Sequence, residues 1–123
     1  METQESIHQW IDETFPGTDP HSPRKSLRAL EEMVELCLAS GASAQDIMDA
    51  ARGATRWDKD WTLRETKPEQ IPIEAADVLI VLYGVAGMRG FDLHAEVDRK
   101  MATNRKRKWR VRGDGTGYHV KEP

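Results

Sequence analysis

The chain has little cysteine, no leader-like N-terminus and no long apolar run free of charge. Its single thiol, Cys37, rules out an internal disulfide; it lies in a helical apolar stripe and reads as a core residue suited to a reducing compartment. The N-terminus METQESIHQW is polar and acidic, so no signal peptide is expected. The longest apolar run, Ile71 to Met88, is interrupted by Glu74 and Asp77. A soluble, cytoplasmic protein without a membrane partner is therefore expected. The one glycine-dense stretch, GDGTG at 113–117, follows no expected strand, so it is neither a Walker nor a Rossmann phosphate loop, and 113–123 reads as a flexible tail.

What is present suggests one domain. A chain of 123 residues, 38% hydrophobic and 32% charged, is long enough for one core and short enough to gain from oligomerisation. The net charge of −3 hides an asymmetry: residues 96–112 carry eight Lys/Arg against Glu96 and Asp98, a local +6 that leaves −9 on the remainder. The chain thus has an acidic body and a basic C-terminal arm.

Periodicity predicts helices throughout. Ile7, Trp10, Ile11 and Phe15 set a first helix over 3–14, stopped by Pro16-Gly17, and residues 1–22 make up this helix and its following loop. Ser22 and Pro23 open a second helix, which Gly41 closes near residue 40. Ser43 caps a short third helix, with Asp46 as its capping-box partner, ending near Gly53. Residues 54–70 read as a loop bearing Trp57 and Trp61, which either cover a core edge or stack on an aromatic ligand. Pro68 opens a long helix whose run IPIEAADVLIVLYGVAGM is apolar nearly all round; one short chain cannot cover it, so a homo-oligomer interface is expected to bury this helix or the one at 23–40. After Gly90, Asp92 caps a last helix running to about Trp109. The fold class is all-α, a bundle of four to five helices.

Two of these helices carry carboxylates where solvation does not explain them. In RKSLRALEEMVELCLA, residues 24–39, Glu31, Glu32 and Glu35 adjoin the stripe of Leu27, Leu30, Val34, Cys37 and Leu38, and the basic residues Arg24, Lys25 and Arg28 stand only in the first turns. Glu74 and Asp77, three residues apart on one side of the long helix, have no Lys or Arg between Ile71 and Met88. Unpaired carboxylates in apolar surroundings protonate, find cations or bind metal. Four to five oxygen donors without Cys or His select a hard cation, Mg²⁺ or Mn²⁺. Neither acid-bearing helix has the Glu-x-x-His of a di-iron bundle. On the last helix Lys100, Asn104 and Lys108 fall at i, i+4 and i+8, a row suited to phosphate oxygens; a solvated basic face and a nucleic-acid-binding tail are the other readings.

Glu31-Glu32-x-x-Glu35 followed by Glu74-x-x-Asp77 resembles the EExxE…ExxD signature of the MazG-like all-α nucleoside triphosphate pyrophosphohydrolases. The segment Lys100 to Trp109 is similar to their phosphate-contacting element, and His21-x-Pro23-Arg24 to the lead-in of some members. The matches cover about residues 20–110. The resemblance implies a homodimer or homotetramer, Mg²⁺ dependence, and cleavage of a (d)NTP to its monophosphate and pyrophosphate. It implies Glu32, Glu35, Glu74 and Asp77 as metal ligands, with Glu31 an additional or outer ligand, and Lys100, Asn104 and Lys108 on phosphates. The closing DGTGYHVK is similar to a phage-type subgroup associated with purine deoxynucleotides, which suggests dGTP or dATP.

The expected chemistry is in-line attack of water on phosphorus, with Glu31 or Glu35 as the general base and Trp57 or Trp61 on the base of the nucleotide. Two alternatives stay open: a non-enzymatic helical module that holds nucleic acid on the basic arm, and a phosphoribosyl-ATP pyrophosphohydrolase. The acids at 74 and 77 argue against the first, so a nucleic-acid partner is not expected.

Overall fold

A computed structural model describes residues 1–17, 19–55 and 67–121. These fall into two units, one of residues 1–19 and 67–123 and one of residues 20–66. Among the described residues there are five α-helices and one two-stranded hairpin, so the all-α expectation is met with a small β addition.

In the larger unit, α1 (Gln4–Thr14) begins with a capping box in which Thr3 and Ser6 exchange side-chain and backbone hydrogen bonds. A single 3-10 turn at Pro68–Gln70 leads into α4 (Ile71–Arg89), which Gly90 ends in the left-handed conformation, φ 77°. Asp92 accepts from the Ala95 amide and starts α5 (Leu93–Lys106). The helix was expected to continue to Trp109; instead Arg107 turns extended, and the Trp109 indole N–H donates to the Asn104 carbonyl at 3.0 Å, satisfying one of the last turn's open acceptors.

Beyond this turn β1 (Trp109–Val111) pairs antiparallel with β2 (Gly117–His119) in the register Trp109–His119, Arg110–Tyr118 and Val111–Gly117. The segment expected to be a flexible tail is thus a strand. Its anchor is an aromatic cluster: Trp10, Phe15 and Trp109 meet edge to face with ring centroids 5.4–5.7 Å apart. Gly117 lies against Phe15 so closely that a Cβ there would stand 2.5 Å from the ring, and Gly17 approaches the Gly113 carbonyl just as tightly. The N-terminus is held from the other side, where Arg105 donates to both carboxylate oxygens of Glu2 at 2.7 and 3.0 Å and the Glu2 amide donates to Asp98.

In the smaller unit, α2 (Arg24–Ala39) ends in a two-bond cap: the Gly41 amide donates to Leu38 and the Ala42 amide to Cys37, with Gly41 at φ 100°. The chain then enters α3 (Ala44–Thr55) through the expected capping box of Ser43 and Asp46, and the helix passes Gly53 to end at Thr55. The hydrogen bonds from Ser43 hold the Asp46 carboxyl below its ordinary range.

The long apolar helix is not buried by its own unit: Ala86 is the only buried residue of α4, while Ile80 and Val81 are 63% and 62% exposed. The helix is apolar on every side, and α1, α5 and the hairpin leave most of it uncovered. By length and composition Pro68–Arg89, with mean hydropathy 1.7, also meets the requirement for a membrane span.

Candidate active site

The five acids fall where sequence periodicity put them, on two helices of different units. Glu31, Glu32 and Glu35 sit in the middle turns of α2, and all three are exposed. Arg24 donates to Glu31 at 2.8 Å, and Arg28 reaches Glu31 at 3.4 Å and also pairs with Glu32. This corrects the reading that these glutamates lack basic partners. Arg28 stands three and four residues before them on the same face, so its long side chain spans one turn to meet both. Glu35, one turn further along, has no ion pair among the described residues.

Glu74 and Asp77 occupy the first turns of α4, both exposed. The helix N-terminus favours negative charge at Glu74, in the first turn, while Asp77 stands a turn further on. Glu32 with Glu35 and Glu74 with Asp77 are each an i, i+3 pair, so each helix can present two carboxylates on one side. Among the described residues no group of three or more His, Cys, Asp or Glu side chains gathers as a metal cage. The donor chemistry fits a hard divalent cation all the same, because Mg²⁺ takes one or two protein carboxylates and fills its remaining positions with water and phosphate oxygens.

The basic row is only partly formed. Lys100 is exposed on α5, as expected. Asn104 is half-buried: its Oδ1 is enclosed without a hydrogen-bond partner among the described residues, and its Nδ2 is 4.0 Å from the Met101 sulfur. Lys108 lies beyond the end of α5, so the i, i+4, i+8 alignment stops at Asn104. Trp57 and Trp61 lie outside the described residues. Sequence reasoning also missed the Tyr83–His94 hydrogen bond of 2.9 Å, which links α4 to the start of α5. Its signal, one aromatic and one imidazole eleven residues apart across a turn, is too weak to find in advance.

Comparison with known proteins gives one informative relative. The chain is 31% identical over 119 residues to the dATP/dGTP diphosphohydrolase of Salmonella phage PMBT28. That alignment covers 97% of this chain and 31% of the relative, so the chain spans about a third of the relative's length. No family model matches the chain. No solved structure matches it either.

Proposed function

We propose that this chain is a MazG-like, metal-dependent nucleoside triphosphate pyrophosphohydrolase acting on a purine deoxynucleotide, dATP or dGTP. The observation that carries the reading is an alignment running through nearly the whole chain to a protein named for hydrolysis of those two nucleotides. The carboxylate pairs of α2 and α4 support it independently, since an all-oxygen donor set is what handling a Mg²⁺–triphosphate requires.

Glu32, Glu35, Glu74 and Asp77 would hold Mg²⁺ or Mn²⁺. When bound, the cation neutralises triphosphate charge and acidifies a coordinated water. Glu35, the α2 carboxylate without an ion pair among the described residues, takes the proton as the water oxygen bonds to phosphorus. The phosphorus–oxygen bond to the leaving group breaks, giving monophosphate and pyrophosphate. Lys100, on α5 with Asn104, would draw phosphate oxygens toward a chain whose remainder is acidic. Trp57 and Trp61 are assigned to the base, and Trp57→Ala or Trp61→Ala is expected to raise KM for the best substrate.

The uncovered surface of α4 supports a homo-oligomer, dimer or tetramer, in which a second copy covers that helix. A pyrophosphate-release panel across the common dNTPs, NTPs and phosphoribosyl-ATP, with and without Mg²⁺, tests the activity. Release from dATP or dGTP that depends on metal is expected. Preference for phosphoribosyl-ATP, or no release from any substrate, would overturn the assignment.

A further inference from the structure

The hairpin has two unlike faces. Trp109 turns toward α1, edge-on to Trp10 and Phe15, with the His119 ring 6.0 Å away on the same side. Strand geometry then sends Lys108, Arg110 and Arg112 to the opposite face, and Arg110 pairs directly with Tyr118. The Arg112 guanidinium carbon lies 5.5 Å from the centre of the Tyr118 ring, which confirms that these two share that face. All four side chains are exposed, Tyr118 by 46%. The amide of Arg112 donates to Thr116 and that of Val120 to Lys108, so the ladder holds both ends of this row.

We propose that this outward face is a binding surface for single-stranded nucleic acid. Alternate residues on a strand are roughly 6.7 Å apart, so the three cations extend over roughly 13 Å. In a triphosphate the phosphorus atoms are joined through single bridging oxygens, too compact to meet the whole row. A nucleic-acid strand, with one phosphate per nucleotide, meets every cation and also brings bases to an exposed ring. Had residues 107–112 continued α5, their side chains would splay around the axis at 100° per residue; the strand is what lines them up. Among the described residues Lys108, Arg110 and Arg112 make no ion pair, in contrast to Arg105, which Glu2 holds. The nearby turn acid Asp114 already accepts from the amide and hydroxyl of Thr116. The inference does not depend on the proposed hydrolysis, because binding is measured without divalent metal and without turnover.

The test is fluorescence anisotropy of a labelled oligothymidylate titrated with the full chain at increasing NaCl. Binding is expected to weaken with salt at a logarithmic slope of about 0.7 per phosphate engaged. Arg110→Glu and Tyr118→Ala should each weaken it roughly tenfold, with helix content unchanged by circular dichroism. Inorganic triphosphate and dATP at matched phosphate concentration should fail to displace the strand. No binding at low salt, binding indifferent to both variants, or full displacement by triphosphate would each overturn the proposal, the last by making the face a nucleotide subsite. Tighter binding to duplex than to single strand would also overturn it, since Tyr118 cannot stack on paired bases.

Discussion

Arg24 donates to Glu31 across 2.8 Å from two turns earlier on α2, and Arg28 adds a second guanidinium to the same carboxylate. Two of the roughly four lone-pair sites of the Glu31 carboxylate are thus already taken by guanidinium donors. Glu35 has no such pairing among the described residues, which separates two glutamates that sequence alone leaves equivalent as general base. Glu35→Gln is expected to lower kcat by about 10²–10⁴. Glu31→Gln, which removes only exposed ion pairs, should stay within about tenfold of wild type. Equal losses in the two variants would defeat the assignment.

The second prediction uses the orphaned oxygen of Asn104. An enclosed amide oxygen left without a partner costs about 1–3 kcal/mol, and this one has none among the described residues, so removing it should not destabilise the protein. If Asn104 is kept for phosphate binding, Asn104→Ala raises KM for the triphosphate while leaving Tm unchanged or higher. Lys100→Ala, at an exposed position, should raise KM in the same way without a change in Tm. A drop in Tm for Asn104→Ala with unaltered KM would make the residue structural.

A third prediction follows from the tether of the N-terminus. The hydrogen bonds from Arg105, then that from Ser6, hold the Glu2 carboxyl down at about 2, against 4.5 for an ordinary glutamate. A carboxyl depressed in the folded state stabilises fully above the unfolded value and loses that contribution as pH falls through the folded one. The window is therefore pH 4.5 down to about 2. Thermal midpoints of wild type and Glu2→Gln should differ above the window and converge at its lower end. A difference independent of pH would show that the ion pair is not its source.

The helices were legible because each local signal agreed with the next: Ser43 and Asp92 cap where hydrophobic periodicity begins, and Gly41 and Gly90 close where it ends. The hairpin was not foreseen, although Trp109–Val111 and Gly117–Val120 flank a glycine-bearing turn of the kind that joins two strands. The basic run reads as a continuation of α5, whereas in the structure Arg107 turns extended and Trp109 packs edge to face on Trp10 and Phe15. Carboxylate spacing was legible too, while the pairing of Arg28 with Glu31 and Glu32 was overlooked despite its i+3 and i+4 spacing. The need of α4 for cover was legible as well: uniform hydrophobicity shows that a helix must be covered, and its own unit leaves most of it exposed.

The last prediction concerns that cover. Fully burying one large aliphatic side chain contributes about 1.5–3 kcal/mol, and α4 leaves Ile71, Ile73, Ile80, Val81 and Met88 more than half exposed. Such a helix is stable in water only when something else lies against it. A bilayer would cover it, but Asp77 alone costs about 2.5–3.5 kcal/mol near the centre of a membrane helix, and Glu74 adds to that. A second copy covers the apolar surface while leaving the acidic first turns to water or metal. Sedimentation equilibrium is expected to show a dimer or tetramer at micromolar concentration. Val81→Asp, which puts a charge on the 62% exposed position, should shift the protein toward monomer and lower Tm. Liposome flotation should leave the wild-type chain in the aqueous fraction. A stable wild-type monomer would defeat the assembly, and flotation with the vesicles would assign α4 to the membrane instead.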